Sequence, residues 1–362
     1  MKNFNTKEIK VIALNLLFDL QDDHAEFGDW WEKSTRNQRI AFRVIVIGTI
    51  YALPFLDNPL IGTPETSFKY ILFNPIALFT LMAVGLNIVV GKSGILDLGY
   101  VAFFAIGAYT FALLGTRTSL NFYEILPLSM GFAMLAGFIL GLPALRTRGD
   151  YLAIITLGFG EIVRIIATNL DSIGGALGIA GIPAPPKTFG FEFVVDNPVP
   201  YYWLTITFLF LVIWAYLRLT KRKPGRAWEA IREDEDVAEF MGVETTKYKL
   251  WAFVIGGAVG GASGAIYASQ VASIEPASFT LNFSILILAF VVFGGMGNIW
   301  GVIAGSVLLA YLPEKLRFLS DIRIVVFGAL MVLMMNVRPD GLIPRKKREK
   351  VYDKTSGQEV SR

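Results

Sequence analysis

Four polar side chains stand in stretches of this sequence that are otherwise strongly apolar. They are Asn87, Asp97, Glu161 and Arg164. A charged or amide group at membrane depth is costly, so it usually faces the interior of a helix bundle or a water-filled path for a polar solute. These four residues are therefore the sequence's candidates for lining a translocation path.

Two structural alternatives stand beside that interpretation. Glu161 and Arg164 are three residues apart, so they can pair on one helix face and pin a short helix in its bundle. Asn87 and Asp97 belong to a glycine-rich stretch, residues 85–109, which either breaks a helix along the pathway or forms a cytoplasmic turn with Asp97 at the interface.

A second chemical signal is the polar stretch 221–250, which separates two apolar segments. It is bounded by Pro224-Gly225 and by Gly242, and it predicts one amphipathic helix over residues 226–241. A two-faced helix of this kind is typical of a site that docks on another protein. The apolar residues expected to share one face are Ala227, Ala230, Ile231, Val237, Ala238 and Met241.

The elements that position these residues are membrane spans. The chain has 362 residues, of which 54% are hydrophobic and 17% charged, whereas a soluble domain is about one quarter charged. Apolar runs long enough to cross a bilayer predict an all-α polytopic membrane protein with about ten transmembrane helices. The predicted spans are 40–55, 70–90, 96–114, 125–145, 151–170, 201–219, 251–271, 279–293, 301–312 and 322–337.

Basic residues cluster in alternate connections, and this asymmetry predicts that both termini and the loop 221–250 are cytoplasmic. The predicted organisation is an N-terminal extension over 1–39, which is either an interfacial helix or a loosely ordered segment, a transmembrane domain over 40–337 and a basic tail over 338–362. The connection 171–200 is rich in glycine and proline. It is predicted to be an external loop that either meets an external partner or acts only as a linker.

The seventh predicted span contains a run of glycines, which suggests close packing of helix backbones and a smooth surface on which helices could slide during gating. These residues are Gly256, Gly257, Gly260, Gly261 and Gly264.

The composition also excludes several classes of site. The sequence has no cysteine and one histidine, so it predicts no disulfide, no thiol catalysis and no metal site. It contains no G-x-x-x-x-G-K-[ST] phosphate loop, no GxSxG elbow and no HExxH motif. We therefore expect no catalytic residues, and we expect any ATP to be used by another subunit.

Four stretches together resemble the LivM-type permease subunits of branched-chain amino acid ABC importers. The resemblance covers roughly residues 70–344 and leaves out the first forty. The stretches are GLNIVVGKSGILDLGYVAFFAIGAYTFALL, LRTRGDYLAIITLGFGEIVRI, GRAWEAIREDEDVAEFMGVETTKYKLWAF and FGGMGNIWGVIAGS, with a closing RPDGLIP.

The resemblance implies a heterodimeric pore in the bacterial inner membrane, formed with a second, related permease subunit. It also implies two cytoplasmic ATPase subunits that use the ATP, an external substrate-binding protein, and no cofactor bound to this chain. In such importers a cytoplasmic helix of the permease sits in a groove of the ATPase. The residues that this match marks as coupling candidates are Gly225, Arg226, Glu229, Ile231, Arg232, Glu233, Asp234 and Gly242.

Other functions remain open at this stage. Relatives in the same family carry urea, short amides or neutral and acidic amino acids, so the resemblance does not name the substrate. A self-sufficient ion-coupled transporter is the alternative from another class. It would need intramembrane carboxylates, for which only Asp97 and Glu161 are available.

Overall fold

Long apolar runs without charges become α-helices here because a helix satisfies its own backbone hydrogen bonds where lipid offers none. The computed structural model describes residues 35–55, 67–144, 147, 150–187, 190–316, 322–344, 350–352 and 359–361. Most of the predicted N-terminal extension lies outside these ranges, and so do residues 345–349, 353–358 and 362 of the basic tail. Residues 1–56 and 57–362 form two separate units.

In the first unit, helix α1 spans Arg36–Ala52 and is followed by a 3-10 turn over Leu53–Phe55. Thr35 caps the start of α1, because its hydroxyl accepts from the Gln38 amide while the Gln38 side chain accepts from the Thr35 amide. This reciprocal arrangement satisfies donors that the first helical turn leaves without partners.

The second unit contains eleven more helices among the residues that the structure describes. In chain order they are α2 (Phe68–Lys92), α3 (Tyr100–Arg117), α4 (Phe122–Ala144), α5 (Asp150–Asn169), α6 (Val199–Thr220), α7 (Lys223–Glu233), α8 (Glu235–Phe240), α9 (Thr245–Val271), α10 (Leu281–Gly294), α11 (Ile299–Lys315) and α12 (Ile322–Val337).

Seven of these helices are long and apolar enough to cross a membrane, namely α2, α3, α4, α5, α6, α9 and α10. The prediction of a polytopic helical membrane protein is therefore confirmed. Helices α11 and α12 and the apolar part of α1 are shorter, with 17, 16 and 16 residues. The total of about ten spans and the placement of both termini stay predictions.

Helix α2 is irregular at two places. Its backbone leaves the helical region at Asn74 (φ −130°, ψ 113°), directly before Pro75, which lacks a backbone donor, and it is π-helical over Asn87–Lys92 at its end. A π-helical turn leaves carbonyls without their usual partners, so such turns often mark functional positions. Helix α2 is also the most deeply buried of the seven candidate spans.

Helix α9 lies at the centre of the bundle, against α2, α3 and α4. A Cβ at Gly257 would overlap the Ala133 carbonyl, and one at Gly264 would overlap the Phe104 carbonyl. Gly256 and Gly260 lie against the side chains of Val89 and Phe103, and Gly261 meets Ala133. All five glycines of the predicted run are thus placed where another helix approaches closely.

The connections collect at two opposite ends of the second unit. At one end the Asn298 side chain donates to the Ile343 carbonyl at 3.2 Å, which brings the α10–α11 turn onto the segment after α12. At the other end the short strands β1 (Ile179–Ala180) and β2 (Ser273–Ile274) pair in antiparallel register. The loop 171–200 therefore packs on the α9–α10 connection. A further antiparallel pair, β3 (Lys350–Tyr352) and β4 (Glu359–Ser361), follows α12.

The third predicted span begins too early. Helix α3 starts at Tyr100 rather than at Leu96, because the preceding link makes its hydrogen bonds elsewhere. The Leu98 amide donates to the Thr156 hydroxyl of α5 at 3.0 Å, and Gly94 adopts a positive φ of 72° that would stop a helix.

The close packing of α3 on α9 predicts the effect of adding one methyl group. A Cβ at Gly107 would collide with the backbone of Gly261, whereas one at Gly131 of α4 would meet open space. We expect Gly107→Ala to destabilise the purified chain by about 1–3 kcal/mol, the usual cost of overpacking a core. Thermal unfolding in detergent would measure this. Gly131→Ala is the matched control, and equal loss in both variants would contradict the packing described here.

Candidate functional site

The polar stretch between α6 and α9 folds as a hairpin of two helices, α7 and α8, and this corrects the single helix predicted over residues 226–241. The break falls at Asp234, whose backbone is extended at φ −160° and ψ 113°. Its carboxylate accepts from the Val237 amide at 3.0 Å and so caps the start of α8. A capping aspartate with two acidic residues in the next turn favours a new helix start over continuation.

The inner face of the hairpin packs on its own chain. Ala227, Trp228, Ile231 and Ala238 are all buried. The Trp228 indole donates to the Tyr248 carbonyl of α9 at 2.7 Å, and Lys249 of α9 forms an ion pair with Glu235 at 2.5 Å. Ile231 is thus a core residue of this chain, which corrects its prediction as an apolar anchor offered to another protein.

Arg232 joins the hairpin to two other elements. Its Nη1 donates to the carbonyl of Gly91, at the π-helical end of α2, and to the carbonyl of Met296 in the α10–α11 turn at 3.2 Å. One turn earlier, Glu229 accepts from Lys92 at 3.4 Å, and Lys92 is nearly buried. These charge-assisted contacts attach α7 to both α2 and the α10–α11 turn.

Asn87 completes the attachment from inside the bundle. Its Oδ1 accepts from the Gly297 amide at 2.9 Å, and its amide nitrogen donates to the Tyr216 hydroxyl of α6 at 3.4 Å. The Tyr216 hydroxyl in turn donates to the Gly297 carbonyl at 3.3 Å. Gly297 has φ 87° and lies against Gly91, so the turn needs glycine at this position. Asn87 is fully buried and acts here as a cross-link between α2, α6 and the turn.

Asp97 lies in the link between α2 and α3 and faces α5. Its Oδ1 accepts from the Gly99 amide at 2.8 Å, and the neighbouring Leu98 amide donates to Thr156. Burial raises the pKa of Asp97 to about 6, although the Gly99 amide and the Thr156 hydroxyl lower it. A Cβ at Gly99 would overlap the Thr156 backbone, so the link and α5 are in direct contact.

The remaining coupling candidates have different surroundings. Gly225 is buried against the backbone of Thr220, where a Cβ would not fit. Arg226 and Glu233 are exposed on the hairpin surface. Gly242 ends the hairpin with φ 82° and has open space around it, so its role is conformational.

The outer face of α8 carries an exposed apolar patch that consists of Val237, Phe240 and Met241. These side chains are 56%, 89% and 79% exposed, and their spacing places them on one helical face. Exposed acidic residues flank them at Glu233, Asp236 and Glu239. Phe240 was missed from the sequence, because a face drawn for one continuous helix does not include it. The local signal was Asp234, which ends α7 and starts α8, so the faces of α8 do not continue those of α7.

Glu161 and Arg164 form an ion pair near the middle of α5. The Arg164 Nε donates to Oε1 and Oε2 of Glu161 at 3.1 and 3.0 Å, and its Nη2 donates to Oε1. The two side chains are 41% and 33% exposed. The pair therefore lies on the surface of this chain, away from the buried Asn87 and Asp97, and it does not pin α5 inside the chain's own bundle.

A metal site is not assembled by the described part of the chain, in which no group of three or more His, Asp or Glu side chains comes together. What the described residues do assemble is a hairpin with an exposed apolar patch, attached by hydrogen bonds and ion pairs to the ends of two membrane helices.

The attachment by Arg232 predicts how a single substitution would loosen the hairpin. Arg232→Gln removes charge-assisted hydrogen bonds worth about 1.5–3 kcal/mol, so local opening should increase by tenfold or more. We expect faster amide hydrogen exchange across residues 223–240, measured by mass spectrometry on the detergent-purified chain. Arg226→Gln removes an exposed arginine of the same helix and is the control. Identical exchange in the two variants would show that Arg232 does not hold the hairpin.

Comparisons with known proteins agree with this architecture. A sequence model described as the permease component of the branched-chain amino acid transport system matches residues 70–335. The high-affinity branched-chain amino acid transport permease LivM of Salmonella typhimurium is 43% identical over 74% of this chain and 68% of its own length. LivM of Escherichia coli K12 is 42% identical over 86% of this chain and 76% of its own length.

A second, more distant permease is also similar. LivH of Escherichia coli K12 is 26% identical over 77% of this chain and 96% of its own length. No solved structure matches the chain. The family match covers most of the described spans, α2 to α11, and includes both the hairpin and the α5 ion pair. This chain belongs to the family of branched-chain amino acid transport system permease components.

Proposed function

We propose that this chain is the permease subunit of an ATP-driven importer in the bacterial inner membrane. Together with a second, related permease it forms a path for branched-chain or other small amino acids. An external binding protein delivers the substrate, and separate ATPase subunits supply the energy. The observation that carries this proposal is the α7–α8 hairpin, which exposes an apolar patch while being attached to the ends of α2, α10 and α11.

The hairpin has the properties that docking requires. Phe240 and Met241 project a large apolar area from a helix that is itself fixed at Asp234 and Ala238. An exposed aromatic residue on a rigid helix is a typical anchor for a groove in another protein, and the surrounding carboxylates would set its orientation. The basic clusters that predict a cytoplasmic hairpin support placing this partner, an ATPase, on the cytoplasmic side.

The relatives support the other partners. LivM and LivH are both permease proteins of the high-affinity branched-chain amino acid transport system, and this chain is similar to both. A related second permease is therefore the natural partner in the membrane. The loop 171–200, whose strand Ile179–Ala180 pairs with the α9–α10 connection at the end opposite to the hairpin, is the surface that we assign to the external binding protein.

Movement of the hairpin would reach the membrane through contacts already described. Arg232 holds the end of α2, Gly94 of the following link packs against Arg232, and Leu98 of the same link bonds Thr156 on α5. An ATPase can shift this connection only if its contacts with the hairpin differ between its two states.

The burial of Asp97 and the pairing of Glu161 with Arg164 weigh against an ion-coupled transporter. A coupling carboxylate must exchange its ion with water on alternate sides of the membrane. Asp97 is fully buried between the α2–α3 link and α5, and Glu161 is already neutralised by an adjacent guanidinium.

Reconstitution tests the proposed function directly. The chain would be placed in proteoliposomes with its second permease, its ATPases and its binding protein, and uptake of radiolabelled leucine would be followed. We expect uptake only with ATP and all partners present. Uptake by this chain alone, driven by an ion gradient, would refute the proposal.

The exposed patch predicts a defect specific to ATPase binding. Phe240→Asp should weaken the ATPase–permease affinity by about 30-fold or more, because loss of a central aromatic anchor typically costs about 2 kcal/mol or more. Titration of the detergent-purified permease pair with ATPase, read by fluorescence anisotropy, would measure this.

Leu177→Asp is the matched control, since Leu177 is 95% exposed at the opposite end of the second unit. It should leave ATPase affinity unchanged. A normal affinity for Phe240→Asp would show that another surface of the chain docks on the ATPase.

A further inference from the structure

The Glu161–Arg164 pair stands out because of where it lies on α5. Glu161 comes eleven residues after the first residue of α5 and eight before the last, so the pair is close to the middle of a span. Helix α5 is also the least buried of the seven candidate spans, and both charged side chains are about one third exposed or more. The pair is thus presented outward, at membrane depth, on the surface of this chain.

Lipid is a poor environment for this face. An ion pair in contact with acyl chains loses the hydration of both charges, and pairing offsets only part of that cost. The face that contains the pair must therefore meet water or the polar groups of another protein. Gly158, one turn before Glu161, has no neighbouring atom within 4 Å of where a Cβ would lie, so the space beside Glu161 is open.

The polar character is confined to one side of the helix. At about 100° per residue, Ile165 lies about 40° from Glu161, whereas Ile166 lies about 140° away. Both isoleucines are about half exposed, and Tyr151 and Ile162 extend the apolar side. One exposed edge of α5 thus presents a carboxylate and a guanidinium, with the exposed Ile154 and Ile165 beside Glu161, and the other edge is wholly apolar.

The guanidinium retains binding capacity. Its three hydrogen bonds to Glu161 use Nε and Nη2, and within the part of the chain that the structure describes its Nη1 has no hydrogen-bond partner. Arginine is well suited to carboxylates because its planar donors can bind both oxygens together. Because Arg164 is also one third exposed, a carboxylate ligand could approach its Nη1 without first displacing Glu161.

We propose that the Glu161–Arg164 pair binds the zwitterionic head group of an amino acid on a water-filled path between this chain and the second permease. The α-carboxylate of the substrate binds Arg164, and its α-ammonium binds Glu161. When the substrate binds, its carboxylate takes the place of Glu161 at Arg164, and its ammonium takes the place of Arg164 at Glu161. The net charge of the site therefore stays zero. The pair thereby selects a zwitterion over an uncharged amide of similar size. This inference rests on the proposed function.

Cysteine labelling tests the accessibility of this face. Because the chain has no cysteine, an introduced cysteine is the one thiol on this chain that the reagent can label. Ile165→Cys and Ile166→Cys would be treated in the complete membrane-embedded complex with a charged, membrane-impermeant methanethiosulfonate, and labelling would be read on this chain alone. We expect at least tenfold faster labelling at position 165, slowed several-fold by saturating leucine. Equal rates at the two positions, or labelling at 165 that leucine leaves unchanged, would overturn the proposal.

A neutral double variant tests the charges themselves. Glu161→Gln with Arg164→Gln removes both charges from the membrane span, so the chain should fold and assemble at least as well as before. We expect leucine uptake by the reconstituted complex to fall at least tenfold. The matched control is Glu244→Gln with Lys247→Gln, which removes an exposed ion pair between residues three apart at the start of α9 and should leave uptake unchanged.

Uptake within twofold of the wild type in the Glu161→Gln, Arg164→Gln variant would overturn the proposal. A wild-type complex without any ATP-driven uptake would instead refute the proposed function, so the two failures are distinguishable. If the neutral variant does not assemble, the labelling experiment still decides, because it keeps both charges in place.

Discussion

The carbonyl groups at the end of a helix have no partner within that helix, and in α2 this end is buried. Arg232 supplies the missing donor to Gly91, and the same guanidinium reaches Met296 in the α10–α11 turn. The rest of the site depends on this interaction. It requires glycine at 91 and 297, where a Cβ would meet the neighbouring backbone, and it fixes α7 against the membrane helices. Together with the Lys92–Glu229 and Lys249–Glu235 ion pairs, this side chain holds a polar loop firmly against the membrane helices.

From this attachment a continuous set of contacts leads toward α5. The link after α2 packs on Arg232 at Gly94 and on α5 at Gly99 and Thr156. Asn87 holds the same end of α2 to α6 and to the α10–α11 turn. The hairpin, the irregular end of α2 and the helix that carries the outward ion pair are therefore joined by direct hydrogen bonds and backbone contacts. Such an arrangement can move as one body, which is what coupling to an external motor requires.

The sequence predicted the membrane helices, because an apolar segment in lipid must satisfy its backbone hydrogen bonds internally, and a helix does so. It also predicted the Glu161–Arg164 pair, since residues three apart on a helix are neighbours. It did not predict the break at Asp234. The apolar residues on both sides of Asp234 keep a helical spacing, which favours one continuous helix, and this pattern masks the aspartate that caps a second helix. The partners of Arg232 could not be predicted either, as they are backbone groups 141 and 64 residues away, and no local pattern encodes such contacts.

We propose that Arg232 couples the hairpin, as the docking site of the ATPase, to the membrane helices, and the number of leucine molecules imported per ATP hydrolysed tests this most directly. Proteoliposomes that contain the complete complex would be compared for the wild type, Arg232→Gln and Arg226→Gln. The account predicts that Arg232→Gln retains ATP hydrolysis but imports at least several-fold less leucine per ATP, while Arg226→Gln matches the wild type. An unchanged ratio in Arg232→Gln, with the complex intact, would contradict it.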